Sequence, residues 1–273
     1  MPSIDLIRLR KQIAHLGIFL EIPGEFLSEY KSLLEFYHQW SHHQHEENIP
    51  DSFMLVYDLP PQVVPEIELG LKPFLQGKGH VFFPLADTLR KDLHFECSNL
   101  AAFILGQTPA ENIDALKDYL EAWLEGSLDK AVVETIFIKA ASPLRNTDQD
   151  LYLIFLHSLL RSSNKRLANA GLVGLTLFLP SAKIDDLPKL FNIIGPLIQD
   201  RQVRQENLET LIKELAKKSP VETAYLIRQV LSDTDDRHVA SLARSFLEYL
   251  PIDSAETVTK AIKLHAARAN SKI

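Results

Sequence analysis

One short pattern recurs three times between Asn164 and Pro251, at a fixed interval of 36 residues. Each copy opens with Asn or Asp, continues with a basic residue, and carries a leucine eight residues after its first apolar residue. The copies open at Asn164, Asp200 and Asp236, and their leucines are Leu175, Leu211 and Leu247. A fixed period of this length is typical of proteins built from stacked helix pairs. No other feature of the sequence restricts the fold as much.

The apolar residues within the copies fall at helical spacing. From Val239 to Leu250 they stand at i, i+3, i+4, i+7, i+8 and i+11, which places them on one side of a helix. The Asn or Asp that opens each copy can cap the free backbone N–H groups at a helix start. The segments 219–222 and 108–111 both have the order Ser/Thr-Pro-x-Glu, a capping box that predicts two further helix starts. Helix, short turn and helix at this period predict HEAT-like repeats.

The sequence therefore predicts an all-α fold, namely a right-handed solenoid of HEAT-like helix pairs (an α-α superhelix). We expect a single elongated domain over residues 1–273, with irregular helices in 1–106 and regular helix pairs in 107–269. The predicted N-terminal helices are 5–20, 25–42, 83–90 and 95–105. Residues 43–58 receive no assignment, although the stretch 52–57 is apolar.

The composition is that of an ordinary folded protein, with 46% hydrophobic and 24% charged residues. The net charge of -7 argues against a surface built only to hold nucleic acid, although a local basic face is compatible with it. A single cysteine, Cys97, excludes an internal disulfide framework and fits a reducing compartment. The sequence has no apolar run of the roughly 20 residues needed to span a bilayer and no signal peptide. These features predict a cytoplasmic protein without a membrane partner.

Two stretches carry a resemblance to a known family. The first is Tyr57 to Ile67, and the second is Leu85 to Arg90, followed by His94 to Glu96 and by the apolar run Leu100 to Gly106. They resemble the AlkD-type DNA alkylation-repair family, whose second signature has Leu-Ala-x-x-Leu-Trp, then His-Glu, then an apolar helix. Because that family is built of HEAT-like repeats, the resemblance implies the same fold here.

The same resemblance bears on catalysis. The family's catalytic stretch has the order Trp-Asp-x-x-Asp, in which an aspartate stabilises an alkylated base and tryptophans hold the DNA backbone. At the equivalent position, Asp129 matches the first aspartate, Val132 replaces the second, and Arg90 stands where the family has a tryptophan. The resemblance therefore leaves Asp129 as a single catalytic candidate and does not transfer the activity. Trp123 fits the apolar stripe of its own helix, and a role in base stacking is the alternative.

A histidine-rich segment is the only candidate metal site. His38 and His42 are four residues apart on a predicted helix, so their imidazoles could share one face, and His45 follows. A solvated, polar helix end accounts for the same residues, and no pair of cysteines or second cluster supports a zinc site. We therefore predict no metal and no other cofactor. Cys97, among apolar neighbours, is predicted to be a buried small hydrophobe rather than a nucleophile.

Basic residues recur with the 36-residue period and are called here the basic row. They are Lys165, Arg166, Arg201, Arg204 and Arg237. Stacking would align them beside helix N-termini, where guanidinium groups suit phosphates or acidic peptides. Alternatively, each Asn or Asp cap pairs with the arginine of the neighbouring repeat, which makes the row structural. We favour the structural interpretation because caps and arginines share one period.

Two functions remain open from the sequence. One is a non-catalytic scaffold that holds a protein or nucleic-acid partner on its concave face. The other is a DNA glycosylase or lesion-recognition protein of the AlkD type. An exposed aromatic–carboxylate pair in a basic groove would distinguish them, and the sequence does not identify one, so we favour the scaffold. The sequence does not specify the partner or the oligomeric state.

Overall fold

The computed structural model of the chain describes residues 4–38, 52–127, 129–182, 187–201 and 203–271. The regular secondary structure of these residues is helical, so the predicted all-α class is confirmed for them. Their one extended feature is an isolated parallel bridge between Leu55 and His94. In the described part of the chain, no helix combines the length and apolarity needed to cross a membrane. The chain divides into two compact units, Met1–Phe155 and Leu156–Ile273, which are described separately.

The first unit is organised around one buried helix, α5. Its helices are α1 (Leu6–Leu16), α2 (Pro23–His38), α3 (Val63–Leu75), α4 (Phe83–Arg90), α5 (Phe95–Leu105), α6 (Ile113–Gly126), α7 (Lys130–Thr135) and α8 (Ser142–Thr147). A π-helical turn, Ile136–Ala140, directly follows α7. Helix α5 packs against α3, α4, α7 and the π-helical turn. It is buried on nearly all sides, since nine of its eleven residues are inaccessible, as expected for a helix that is apolar all round.

The second unit contains the three copies of the 36-residue sequence pattern. After α9 (Gln149–Leu160), which spans the division between the units, its helices are α10 (Lys165–Phe178), α11 (Leu187–Gln199), α12 (Gln205–Lys218), α13 (Pro220–Asp233), α14 (Arg237–Ser245) and α15 (Ile252–Ser271). Three helices pack on the helix next but one: α10 on α12, α11 on α13, and α13 on α15. The helices α12–α13 and α14–α15 also pack in pairs.

Several hydrogen bonds in this unit join residues one period apart. Lys218, at the end of α12, donates to the carbonyls of Leu179 and Ala182, just beyond the end of α10. Arg268 of α15 donates to the carbonyls of Ser232 (3.0 Å) and Leu231 (2.6 Å), in the last turn of α13. The final carbonyls of a helix have no partner within that helix. Lys218 and Arg268 supply the missing donor, each from a position 36 residues further along the chain.

Three predicted helix starts, after Asp200, at residue 25 and after Thr108, differ from the structure. Asp200 does not cap a helix: α12 begins at Gln205, and Asn169, one period earlier, accepts a hydrogen bond from the backbone N–H of Arg204 (3.3 Å). The helix predicted to follow Ser219 does begin at Pro220, but its capping box is not formed, because the Ser219 hydroxyl donates to the Glu222 carboxylate (2.8 Å) instead of accepting from the backbone. At the N-terminus, α2 begins at Pro23 rather than at residue 25, since proline fits the first turn of a helix.

The capping box at Thr108 is also absent. The Thr108 hydroxyl is buried without a hydrogen-bond partner among the described residues. A 3-10 turn, Ala110–Asn112, follows it, and α6 begins only at Ile113. By contrast, Asn164 and Asp236 cap α10 and α14 as predicted, each accepting a backbone N–H two residues later at 2.9 Å.

Candidate functional site

A groove between α13 and α15 is the strongest candidate for a binding site in the second unit. We call it the basic groove, and define it by Tyr225 and Arg228 on α13 and Lys260, Leu264 and Arg268 on α15. Its volume is about 920 Å³, and no carboxylate is among the residues that line it. Tyr225 and Leu264 are large apolar side chains that remain 59% and 67% exposed. The groove is therefore positive and partly apolar on a chain whose net charge is -7.

The three cations of the basic groove differ in their surroundings. Arg268 donates to two carbonyls at the end of α13, so part of its guanidinium is already engaged. Arg228 and Lys260 are exposed and form no ion pair with any residue that the structure describes. They lie on different helices, one on each wall of the groove. The groove thus offers two cations that can accept an anionic partner. Sequence periodicity missed it because its residues do not recur from one repeat to the next.

The basic row is exposed and separate from the basic groove. Lys165, Arg166, Arg201, Arg204 and Arg237 are all at the surface, and none of them lines the groove. Arg201 forms a bidentate ion pair with Asp236, the cap of α14, through contacts of 2.8 Å and 3.2 Å. The hydrogen bond from Arg201 lowers the pKa of Asp236. The pairing that we predicted between a cap and the arginine of the neighbouring repeat therefore occurs at this position.

The Arg201–Asp236 pair leads to a first prediction. Because the Arg201 side chain is 69% exposed, we expect Arg201→Gln to lower the free energy of unfolding by less than Asp236→Ala does. Asp236→Ala should cost about 1 kcal/mol, since it also removes the cap on the backbone N–H of His238. Urea denaturation of both single variants and the double variant measures the coupling. An Arg201→Gln protein that binds an anionic partner more weakly at unchanged stability would contradict the structural interpretation of this pair.

Asp129 lies in a buried position and bonds to the chain itself. One carboxylate oxygen caps α7 by accepting the backbone N–H of Val132 (3.2 Å). The other accepts the hydroxyl of Ser52 (2.8 Å) and the backbone N–H of Phe53 (2.6 Å). Both oxygens thus hold protein groups in place, and they attach the extended segment 52–57 to the start of α7.

Trp123 is also buried. Its ring N–H donates to Asp87 (2.9 Å) and its carbonyl accepts from Arg90 (3.0 Å). The guanidinium of Arg90 lies 5.2 Å from the centre of the Trp123 ring, and burial lowers the pKa of Arg90. The aromatic and acidic residues that the family resemblance singles out are therefore engaged in internal contacts, and they do not form an exposed pair.

A buried carboxyl group, Glu96, lies in the first unit where sequence reasoning did not place one. It stands near the start of α5, is 5% exposed, and accepts the backbone N–H of Tyr57 (3.0 Å) with one oxygen. Its other oxygen is buried without a hydrogen-bond partner among the described residues. Burial raises the pKa of Glu96 to about 7. The sequence signal was available, since Glu96 is a charged residue inside the most apolar helix of its unit.

The groups around Glu96 hold the segment 52–57 against α5. Leu55 donates to the carbonyl of Leu93 (3.0 Å) and accepts from the backbone N–H of Phe95 (2.9 Å). The ring of Tyr57 stacks on His94 at 4.3 Å. His94 contacts Asp92 at 2.7 Å, and Lys31 bonds to the other oxygen of that carboxylate. Residues 52–57, which the sequence left unassigned, therefore form an extended segment that is bonded to the start of α5.

Asp92 and Cys97 are two further titratable groups near Glu96. Burial raises the pKa of Asp92. Hydrogen bonds from Lys31 and His94 lower it by more, so the pKa of Asp92 falls to about 2. Cys97 is buried as predicted, and burial raises the pKa of its thiol far above the usual range.

Of the three histidines proposed as metal ligands, only His38 falls within the described residues. Its Nδ1 accepts the backbone N–H of Asp58 (3.1 Å), and its ring lies against Tyr57 at 6.1 Å. His42 and His45 lie outside the described residues. Within the described ranges, no group of three His, Cys, Asp or Glu side chains is arranged to hold a metal ion.

No protein-family model matches the sequence, and no curated protein matches it. The resemblance to the AlkD-type family therefore rests only on the residues named above. The contacts and charges of the chain itself are therefore the basis for its function.

Proposed function

We propose that the chain is a non-catalytic binding scaffold, a right-handed solenoid of HEAT-like helix pairs that holds a protein or nucleic-acid partner on its concave face. Next-but-one packing of the helices from α10 to α15 supports the stacked pairs. The proposal includes a cytoplasmic location, which the single buried Cys97 supports. Membership of the AlkD-type family, as a divergent member without its catalytic motif, is part of the same proposal.

The basic groove is the observation that carries this proposal. Arg228 and Lys260 are exposed cations without an ion pair among the described residues, beside the exposed side chains of Tyr225 and Leu264. Cations beside an exposed aromatic residue are typical of surfaces that bind macromolecules. The lining residues are largely open to solvent, whereas a small-molecule site buries most of its ligand. A macromolecular partner therefore fits the groove better than a small substrate does.

The proposal predicts that binding depends on the charge of the groove. We expect the double variant Arg228→Glu/Lys260→Glu to weaken binding of polyglutamate or duplex DNA about tenfold, and the binding of the unchanged protein to fall with salt. Fluorescence anisotropy at two salt concentrations measures both effects. Lys263→Glu is the matched control, because Lys263 is exposed on the same helix and does not line the groove.

A comparison with the basic row locates the binding surface. The triple variant Arg166→Gln/Arg201→Gln/Arg237→Gln should bind both probes as the unchanged protein does. If this variant loses binding while the groove variant retains it, the groove is not the binding surface. If the unchanged protein binds neither probe at low salt, the scaffold proposal itself fails.

The alternative function, a DNA glycosylase of the AlkD type, has a direct test. Both oxygens of Asp129 accept hydrogen bonds from the chain, which supports a structural role for its carboxylate. We therefore expect no release of free base when the protein is incubated with alkylated duplex DNA. Chromatography of the released bases, against a buffer control, provides the measurement. Base release that Asp129→Asn abolishes would establish the enzyme and overturn the scaffold.

A further inference from the structure

We propose that the basic groove binds an acidic amphipathic α-helix of a protein partner, about three turns long. This inference rests on the proposed scaffold function and specifies its partner. It depends on three features of the groove: its length, the arrangement of its cations, and the apolar character of its floor.

The length of the groove matches a short helix. On α15 the lining residues run from Thr257 to Arg268, and on α13 from Tyr225 to Ser232. At 1.5 Å per residue, the longer wall extends for roughly 16 Å, which corresponds to about three helical turns. Because the two walls are themselves helices, the depression between them suits a third helix lying along them, as in other helix-in-groove complexes.

The chemistry of the groove is divided between floor and walls. Ala261, Leu264 and Ala267 of α15 supply apolar surface, whereas Leu231 of α13 lines the groove but is only 1% exposed. Arg228 and Lys260 flank this surface from opposite helices. The pattern resembles a coiled-coil seam, in which charged positions lie on both sides of an apolar stripe. A helix with an apolar stripe and glutamates on both sides of it therefore matches the groove in shape, in apolar character and in charge.

These features favour a protein helix over nucleic acid. A nucleic-acid backbone is held by a row of cations that follows the phosphates. Here the guanidinium of Arg268 donates to two backbone carbonyls, which leaves one exposed cation on each wall. Leu264, Ala261 and Ala267 line the same groove, and a phosphate that lay against these apolar side chains would lose water without gaining a donor. An apolar side chain on the same surface removes hydrocarbon from water and stabilises the complex.

The test uses the full chain and three labelled probes. The first is a helical peptide of about three turns, with leucines at i, i+3, i+4 and i+7 and glutamates on both sides of them. The second is the same peptide with lysine in place of glutamate, and the third is a single-stranded oligonucleotide. We expect the protein to bind the glutamate peptide at least about tenfold more tightly than either of the other probes.

Two classes of variant separate charge from apolar contact. Lys260→Glu and Arg228→Glu should each weaken binding of the glutamate peptide several-fold, and Lys263→Glu should change it less than about twofold. Leu264→Ser should also weaken peptide binding, while leaving the fold intact because Leu264 is exposed. Circular dichroism melting of each variant verifies that the protein remains folded.

The outcomes distinguish this inference from the function on which it rests. Tight binding of the glutamate peptide that both Lys260→Glu and Leu264→Ser weaken supports the inference. Binding of the oligonucleotide alone, weakened by Lys260→Glu and unaffected by Leu264→Ser, overturns the inference and leaves the scaffold function in place. If the protein binds none of the probes, and neither polyglutamate nor duplex DNA, both proposals fail.

Discussion

Replacing Gly79 by alanine is expected to lower the free energy of unfolding of the first unit by about 3 kcal/mol or more. A Cβ atom at this position would lie 2.5 Å from the backbone nitrogen of Thr108 and 2.6 Å from the carbonyl oxygen of Ile104. Both are backbone atoms, at the end of α5 and in the turn after it, so no side-chain rotation relieves the clash. The backbone has to shift, which also weakens the hydrogen bond from Gly79 to the carbonyl of Gln107 (3.2 Å).

The matched control for this prediction is Gly24→Ala. Gly24 is the second residue of α2, and a Cβ atom there would have no atom within 4 Å. Alanine has a higher helix propensity than glycine, so this variant should be stabilised by up to about 1 kcal/mol. Thermal and urea denaturation of both variants provides the measurement. Equal melting temperatures for the two variants would contradict the close packing of Gly79 on the turn after α5.

Replacing Glu96 by glutamine is expected to stabilise the protein at alkaline pH and to remove most of one pH dependence. Burial raises the pKa of Glu96 from 4.5 to about 7 in the folded chain. The folded state therefore holds this proton more tightly than the unfolded state does. The resulting stability is fully present below about pH 4.5 and is lost as the pH rises through 7. From the difference between the two pKa values, the loss amounts to roughly 3 kcal/mol.

Urea denaturation at pH 5 and pH 8 tests this directly. Ionisation of Glu96 should make the unchanged protein less stable at pH 8 than at pH 5, by up to the loss given above. The Glu96→Gln variant should lose less stability between the two pH values. Glutamine retains an oxygen that can accept the backbone N–H of Tyr57. Glu29→Gln is the control, because Glu29 is exposed and the same substitution there should leave the pH profile unchanged. A Glu96→Gln profile that parallels that of the unchanged protein would refute the role of this carboxyl.

The features that the sequence predicted well are local ones. The helical spacing from Val239 onward and the caps at Asn164 and Asp236 depend on residues within one or two turns of each other. The cap at Asp200 was predicted by the same rule and is wrong, because the N-cap position of α12 falls at Arg204 and its N–H bonds to Asn169. Asn169, 35 residues earlier, thus takes part in the start of α12. Capping rules that consider only neighbouring residues cannot predict such a contact.

The features that the sequence did not predict depend on contacts between distant residues. Asp129 bonds to Ser52, 77 positions earlier, and Glu96 bonds to Tyr57, 39 positions earlier. The partner of each carboxylate is too far away in the sequence to be predicted from its neighbours. The basic groove is similar in this respect, since Arg228 and Lys260 belong to different helices and lie together only after α13 packs on α15.

The hydrogen bonds from Lys218 and Arg268 to the helix one period earlier also bear on how the second unit loses its structure. In both cases the donor belongs to the later repeat and the acceptors to the end of the earlier one. Melting of α15 would leave the last carbonyls of α13 without the donor that Arg268 provides. Nearest-neighbour coupling of this kind makes repeats unfold together rather than independently. Contacts also run the other way, since Asn169 accepts from the start of α12 and Arg201 pairs with the cap of α14, so loss of one helix pair should weaken its neighbours on both sides.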